Sequence, residues 1–270
     1  MFTKHRFVQT GLLLLGLIVF AAGCTGSERV ISNNPEDAYN QAKRLYDNGN
    51  YTRAIEHFQN VFNYGRTSEW AADAQFYLAE SYLQTEQYLL AADEFTRFVN
   101  LYRQDERAEE AAFKRALAYY RLSPPYQLDQ SDTRQAINYL RLFVEQYPTS
   151  QYAERAGTML QELRNKLAHK EYDAAQLYER RELFEAAALT YERVLEKYPE
   201  TKWADDALLG AIQAHMQYSQ ASIRSKQEQR LQRALDNYQR FTQLFPNSPL
   251  MEEAERLYKQ ARSRMDDLQG

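Results

Sequence analysis

Apolar residues along most of this chain recur at intervals of three and four, the spacing of one helix face, with polar residues filling the positions between. Ala54, Ala91, Ala136, Ala187 and Ala234 align with Phe58, Phe95, Leu140, Tyr191 and Tyr238 four residues on. Seven residues on come Val61, Phe98, Phe143, Val194 and Phe241. Any amphipathic helix shows this stripe, so the positions beyond it decide whether the chain repeats. At offset 11 stand Gly65, Tyr102, Tyr147, Tyr198 and Phe245, and at offset 12 Arg66, Arg103, Pro148, Pro199 and Pro246. Three prolines at one offset have no origin in helical periodicity. Proline lacks an N–H and clashes inside a helix, so it marks where each second helix stops. Upstream, Ala42, Ala79 and Ala175 precede their alanines by 12 residues, each with Leu45, Tyr82 or Tyr178 three further on. The unit is therefore a helix hairpin, in which small residues admit close approach and large ones fill the gaps between units.

The pattern predicts helices over 35–48, 51–64, 68–85, 88–103, 106–122, 132–147, 150–181, 184–197, 201–219, 226–245 and 249–268. Gly157 is the one breaker in 150–181, which reads as one long helix or two meeting near His169. The last helix has no partner and reads as the polar-faced cap that a stack of repeats requires. The small–aromatic–Ala–Phe–Pro spacing from Pro35 to Pro246 resembles the tetratricopeptide repeat. That resemblance implies an all-α fold: a superhelical solenoid of about five tetratricopeptide-like helix hairpins with a C-terminal capping helix. The first two units fit well, at Ala42…Gly49-Asn50-Tyr51…Ala54…Phe58 and Ala79…Tyr88…Ala91…Phe95, although the terminal proline is absent there. Ser123–Ser131 (SPPYQLDQS) interrupts the third unit, and Ser222–Gln227 occupies the corresponding place in the fifth.

The first residues follow a different rule. Lys4, His5 and Arg6 precede the apolar run Gly11–Ala22, and Gly23-Cys24 closes it. A basic start, an apolar stretch and small residues before a cut site describe a secretory signal. The run of 12 residues is shorter than the roughly 20 a membrane-spanning helix needs. Cys24 is the only cysteine, so in a secreted chain it has no disulfide partner. Ala21-Ala22-Gly23-Cys24 resembles the lipobox of bacterial lipoproteins, with Ala21 where Leu is commoner. The resemblance implies a diacylglycerol thioether and palmitate on Cys24, and Thr25 in second place implies sorting to the outer membrane. Residues 1–23 are then the lipoprotein signal peptide and 24–34 a lipidated tether.

Composition narrows the chemistry. With 9 Gly and 7 Pro in 270 residues, an all-β fold lacks its turn makers, and neither a dinucleotide fingerprint nor a P-loop occurs. Net charge is −4 and becomes more negative when Lys4 and Arg6 leave, which argues against nucleic-acid binding. His57, His169 and His215 fit no metal-ligand spacing, and the acids interleave with Lys and Arg as solvated helix faces do. No nucleophile constellation appears. The expectation is a protein that is not an enzyme and holds no cofactor or metal apart from the covalent lipid.

Tyrosines at repeat positions (Tyr51, Tyr82, Tyr88, Tyr178, Tyr191, Tyr238) read as packing residues. Tyr39, Tyr46 and Tyr77 lie on first helices, whose inner surfaces line the concave side of such stacks, and read as contacts for an extended peptide. The Pro124-Pro125-Tyr126 loop reads equally as a docking element or a plain insertion.

The order lipobox, Pro35–Tyr51, Glu69–Tyr82, Tyr147–Leu167, His169–Phe184 and Tyr198-Pro199 resembles the BamD (ComL) family, lipoproteins of the β-barrel assembly machinery. The family implies a non-catalytic scaffold on the periplasmic face of the outer membrane. Its partners are a POTRA domain of BamA, the other BAM lipoproteins and unfolded β-barrel proteins, with membrane contact through the lipid alone. By this resemblance 35–105 is the substrate side and 106–270 the partner side of one continuous solenoid. Tyr39, Tyr46 and Tyr77 would hold a substrate tail whose carboxylate lies near Arg66 or Arg103. Arg181 matches a basic residue of the BamA-docking region, with Arg180 and Arg193 added on charge grounds, while Thr190 stands where some relatives place an arginine. The rival readings are another repeat lipoprotein, such as a pilotin or a cell-wall coordinator, and a lipid-anchored cell-wall hydrolase.

Overall fold

A computed structural model of the chain describes residues 32–269, and every regular element among them is helical. The signal peptide 1–23, Cys24 and the tether as far as residue 31 lie outside the described residues. The helices are α1 (Pro35–Asp47), α2 (Tyr51–Val61), α3 (Ala71–Gln84), α4 (Tyr88–Leu101), α5 (Ala108–Leu122), α6 (Ser131–Gln146), α7 (Ala153–Arg180), α8 (Phe184–Lys197), α9 (Ala204–Gln220), α10 (Arg224–Leu244) and α11 (Met251–Gln269). The long stretch after Ser150 is one unbroken helix, α7. Two compact units divide the chain, the first ending at Tyr77 and the second beginning at Leu78.

Three of the hairpin turns share one device. After α1, α3 and α7 a single residue takes the left-handed conformation: Gly49 (φ 74°), Glu86 (φ 60°) and Glu182 (φ 59°). Around each, the next N–H reaches back to close the helix end: Asn50 to the Leu45 carbonyl, Gln87 to Tyr82 and Leu183 to Tyr178, at 2.8, 2.9 and 3.0 Å. This bonding satisfies helix-terminal carbonyls that would otherwise be orphaned. It also explains why a glycine signals the turn in the first unit only, because two glutamates accept the strained geometry.

The second helices end alike. Tyr102, Tyr147, Tyr198 and Phe245 each cap their helix with φ between −120° and −137° and ψ between 51° and 61°, neither helical nor extended. Three of these rings pack on the aromatic residue one turn back: Phe98–Tyr102, Phe143–Tyr147 and Phe241–Phe245, with centroids 5.4, 5.3 and 5.7 Å apart. The first unit, lacking that aromatic, closes through a 3₁₀ turn (Phe62–Tyr64) onto Gly65 at φ 102°.

The following helices start later than periodicity predicts, at Ala71, Ala108, Ala153, Ala204 and Met251. A turn precedes each, closed by an N–H to the carbonyl of Ser68, Asp105, Ser150, Thr201 or Ser248 at 2.9–3.2 Å. The side chains of Ser150, Ser248 and Asp105 also accept the N–H of the residue two further on. Such polar side chains offer the backbone an alternative to helix, which apolar periodicity cannot register.

In the second unit each helix from α4 onward packs on the next, and first helices also touch the first helix of the following unit: α5 on α7 and α7 on α9. The final helix α11 packs on both α10 and α9, covering the last pair. Nearest-neighbour packing of this kind is what stacked repeats provide. The core is alanine at the crossings and Phe, Leu or Tyr between them, with Phe95, Phe98, Phe113, Leu140 and Phe241 buried.

Candidate functional site

In the first unit, α1, α2 and α3 bring together the three tyrosines singled out by sequence. Tyr46 meets Tyr77 edge-on, with centroids 5.0 Å apart, and Tyr77 stacks on Phe58 at 6.0 Å and 15°. Tyr39 stacks on Trp70 at 5.0 Å and tilts against Phe58. Access is unequal, however. Tyr39 is 8% exposed, so its ring is committed to packing and not open to a peptide as its helix position suggested. Tyr46 and Tyr77 keep partly exposed faces. Lys43 adds charge to this edge, its Nζ lying 4.8 Å from the Tyr77 centroid and 2.5 Å from Asp47 Oδ1. Arg66 is exposed after the 3₁₀ turn. Its guanidinium lies 4.3 Å from the Phe62 ring centroid and donates to Gln75 Oε1 at 2.9 Å. The hydrogen bond and the ring contact fix the guanidinium on this exposed turn.

Arg103 belongs to the second unit, exposed in the turn after α4. Arg180 and Arg181 are exposed at the end of α7, where the left-handed Glu182 turns the chain. Beside them Leu177, Tyr178 and Leu183 are 41%, 37% and 50% exposed, so the turn presents apolar side chains together with two guanidinium groups. Arginine and aromatic residues on a partly apolar surface make up the usual composition of a protein interface. Arg193 is not part of that turn. It sits on α8 with its guanidinium 3.6 Å from Glu171 and donating to Thr190 Oγ1 at 3.2 Å. The nine steps from Phe184 to Arg193 carry it roughly 14 Å along the helix.

Sequence reading missed how the Ser123–Ser131 loop is held. Lys166 Nζ donates to the Ser123 hydroxyl at 2.8 Å and the Pro124 carbonyl at 3.1 Å. Lys170 Nζ donates to the carbonyls of Tyr126 and Leu128, each at 2.9 Å. Between the two lysines, His169 lies 4.0 Å from the Tyr126 ring and stacks on Trp203 at 4.2 Å and 7°. The only available signal was Lys166…Lys170 at i, i+4 on α7, which puts both on one helix face.

Two further features bear on recognition. A cleft of about 500 Å³ lies between α5 and α7, lined by Leu117, Tyr120, Arg121, Arg155, Met159 and Glu162 among others. In the interior of the second unit, Glu192 accepts from Asn237 Nδ2 at 2.7 Å and lies 2.9 Å from His215 Nε2. Burial alone would raise that carboxyl, but the bonds from His215 and Asn237 outweigh it and hold it below its ordinary range. Similarly, burial disfavours the Lys114 ammonium, and Glu80 and Glu110, both at 2.7 Å, raise it nonetheless. Among the described residues no group of three or more His, Cys, Asp or Glu could hold a metal ion, and no helix is long and apolar enough to cross a membrane.

Fold and surfaces together define an all-helical hairpin-repeat protein that presents aromatic, basic and cleft surfaces. The family described as "YfiO: Outer membrane lipoprotein" matches residues 32–231, and the chain belongs to that family. It is 27% identical over 200 residues to the outer membrane protein assembly factor BamD of Caulobacter vibrioides, covering 72% of this chain and 66% of that protein, just under two thirds. The BamD proteins of Rickettsia prowazekii and Vibrio cholerae are each 25% identical. Those matches cover 79% and 77% of this chain, and 85% and 90% of theirs. A solved TPR repeats protein from Bacteroides fragilis superposes with a TM-score of 0.48 at 15% identity, covering 86% of this chain and all of that one.

Proposed function

We propose that this chain is an outer-membrane protein assembly factor: a non-catalytic scaffold, held by lipid on Cys24 at the periplasmic face of the outer membrane. The observation that carries the reading is the family match over 32–231, joined to relatives named as assembly factors along most of the chain.

In this reading the first unit takes the targeting segment of an unfolded β-barrel protein. Tyr46 and Tyr77 supply ring contact at low entropy cost, and Arg66 supplies the carboxylate partner. Arg103, in the second unit, is held for the same role on charge alone. The turn carrying Arg180, Arg181, Leu177 and Leu183 docks a POTRA domain of BamA, while Arg193, already engaged with Glu171, contributes less. No covalent step is needed, because binding on one chain raises the effective concentration of substrate beside the inserting subunit.

Depleting the protein should lower β-barrel proteins generally in the outer membrane, and loss of pili alone would overturn the reading. Cys24→Ser should abolish palmitate labelling and release the protein from membranes. Arg180→Glu with Arg181→Glu should abolish a POTRA pull-down. A barrel C-terminal peptide that binds Tyr46→Ala and Arg66→Ala variants as well as the unaltered chain would remove the groove assignment.

A further inference from the structure

We propose that the pocket walled by α8, α9 and α10 is a docking site for an extended acidic segment of a partner polypeptide. This does not rest on the assembly-factor reading, because every observation that carries it belongs to this chain.

The pocket exists because the fifth hairpin carries extra residues. Where α8, the second helix of the preceding hairpin, has 14 residues, α10 has 21, starting at Arg224 within the Ser222–Gln227 insertion. The Ser219 hydroxyl donates to the Gln227 carbonyl and Gln227 Nε2 to the Ser222 carbonyl, both at 2.9 Å, locking the extended start against α9. Lys226, Arg230 and Arg233 fall at i, i+4 and i+7, on one helix face, and all three line a pocket of about 420 Å³.

Its charges are unbalanced in a chain whose net charge is −4. Glu185 is the one acid on the wall, and it is already engaged: the Tyr218 hydroxyl donates to it at 2.7 Å. Arg230 lies 3.5 Å from the Tyr218 ring centroid and donates to the same hydroxyl at 2.8 Å. Among the described residues Lys226 and Arg233 form no ion pair. Two unpaired cations beside a satisfied Glu–Tyr–Arg set call for carboxylates.

The apolar part of the wall makes the occupant a polypeptide. His215 also lines the pocket, 6% exposed, with Nε2 facing the Glu192 carboxylate and Nδ1 buried without a hydrogen-bond partner. Leu189, 52% exposed on α8, offers an apolar rest for an alternate side chain.

The test uses the full chain in neutral detergent and a fluorescein-labelled peptide alternating Glu and Leu, followed by anisotropy. Lys226→Ala with Arg233→Ala should weaken binding about tenfold, and Leu189→Ser about threefold, with helicity unchanged because all three side chains are exposed. The control Arg256→Ala with Lys259→Ala, on α11, should bind as the unaltered chain does. The proposal is overturned if the Lys226/Arg233 variant binds equally well, if a Lys–Leu peptide binds as tightly, or if inorganic phosphate displaces the peptide at matching concentration. Failure of the barrel-depletion experiment would leave this result untouched.

Discussion

The ring of Tyr191 on α8 lies directly over Gly210 on α9. A methyl group on Gly210 would come within 2.8 Å of the phenol Cζ, and the hydroxyl donates to Glu179 at 3.0 Å. The ring is 2% exposed, and burial, reinforced by Glu179, holds the phenol far above its ordinary range. It has no room to move aside without giving up the hydrogen bond. Gly210→Ala should therefore cost about 1–3 kcal/mol in denaturant unfolding, an overpacking loss. Gly157→Ala, where nothing lies within 4 Å, should be neutral or slightly stabilising by helix propensity.

Glu182 occupies the left-handed turn position that Gly49 fills in the first unit. Relieving that geometry, Glu182→Gly should raise unfolding stability by up to about 1 kcal/mol, even though it removes a side chain. A drop in the denaturation midpoint would show that the Glu182 side chain itself stabilises the turn.

The clamp on the Ser123–Ser131 loop predicts a local effect. Lys166→Met with Lys170→Met leaves five carbonyls and a hydroxyl without their ammonium donors. Hydrogen exchange should quicken in residues 123–130, and proteolysis there should rise, while the cores of α8 to α11 keep their protection.

Glu192 makes stability depend on acidity. Its folded-state pKa is below its unfolded value, so its contribution is complete above the unfolded value, near 4.5, and is lost as pH falls through the folded one. Glu192→Gln should flatten the acid limb of the stability curve while lowering stability at neutral pH. An unchanged acid limb would show that other carboxylates set it.

Arg115 is 8% exposed and forms no ion pair among the described residues. Its guanidinium lies 4.3 Å from the Tyr139 ring centroid, and its Nε lacks a partner. Burial depresses its pKa. Because desolvation of the charge opposes what the ring returns, Arg115→Met should fall within about 1 kcal/mol of the unaltered chain. Tyr139→Ala, which removes both that contact and the stack on Tyr119 at 5.0 Å, should cost more, about 1–2 kcal/mol.

Much of the fold was legible because repeats write the same physical demand several times. The alanines at Ala54, Ala91, Ala136, Ala187 and Ala234 are all fully buried, as crossing positions must be. Their prolines and offset aromatics mark helix ends to within a few residues. Helix starts were less legible, since Ser150 and Ser248 divert the backbone through hydrogen bonds that carry no hydrophobic period. The candidate site divides in the same way. Tyr46 and Tyr77 are half-buried and Arg180 and Arg181 exposed, but Tyr39, seven residues before Tyr46 on the same helix, is buried and stacks on Trp70, which sequence does not place beside it.

The sequence by itself determined the periodic content of this protein: paired helices, their order, their small crossing residues and the aromatic ends that stop them. These follow from local stereochemistry and a hydrophobic stripe, both of which act within a turn or two of chain. Only the tertiary structure decided which of several equivalent side chains is covered and which remains open to a partner. It also decided that Lys166 and Lys170 pin a loop some forty residues away, and that Lys226 and Arg233 form no ion pair among the described residues. The reason is physical: burial and charge pairing depend on distances between segments remote in the chain, and one sequence carries no record of those distances.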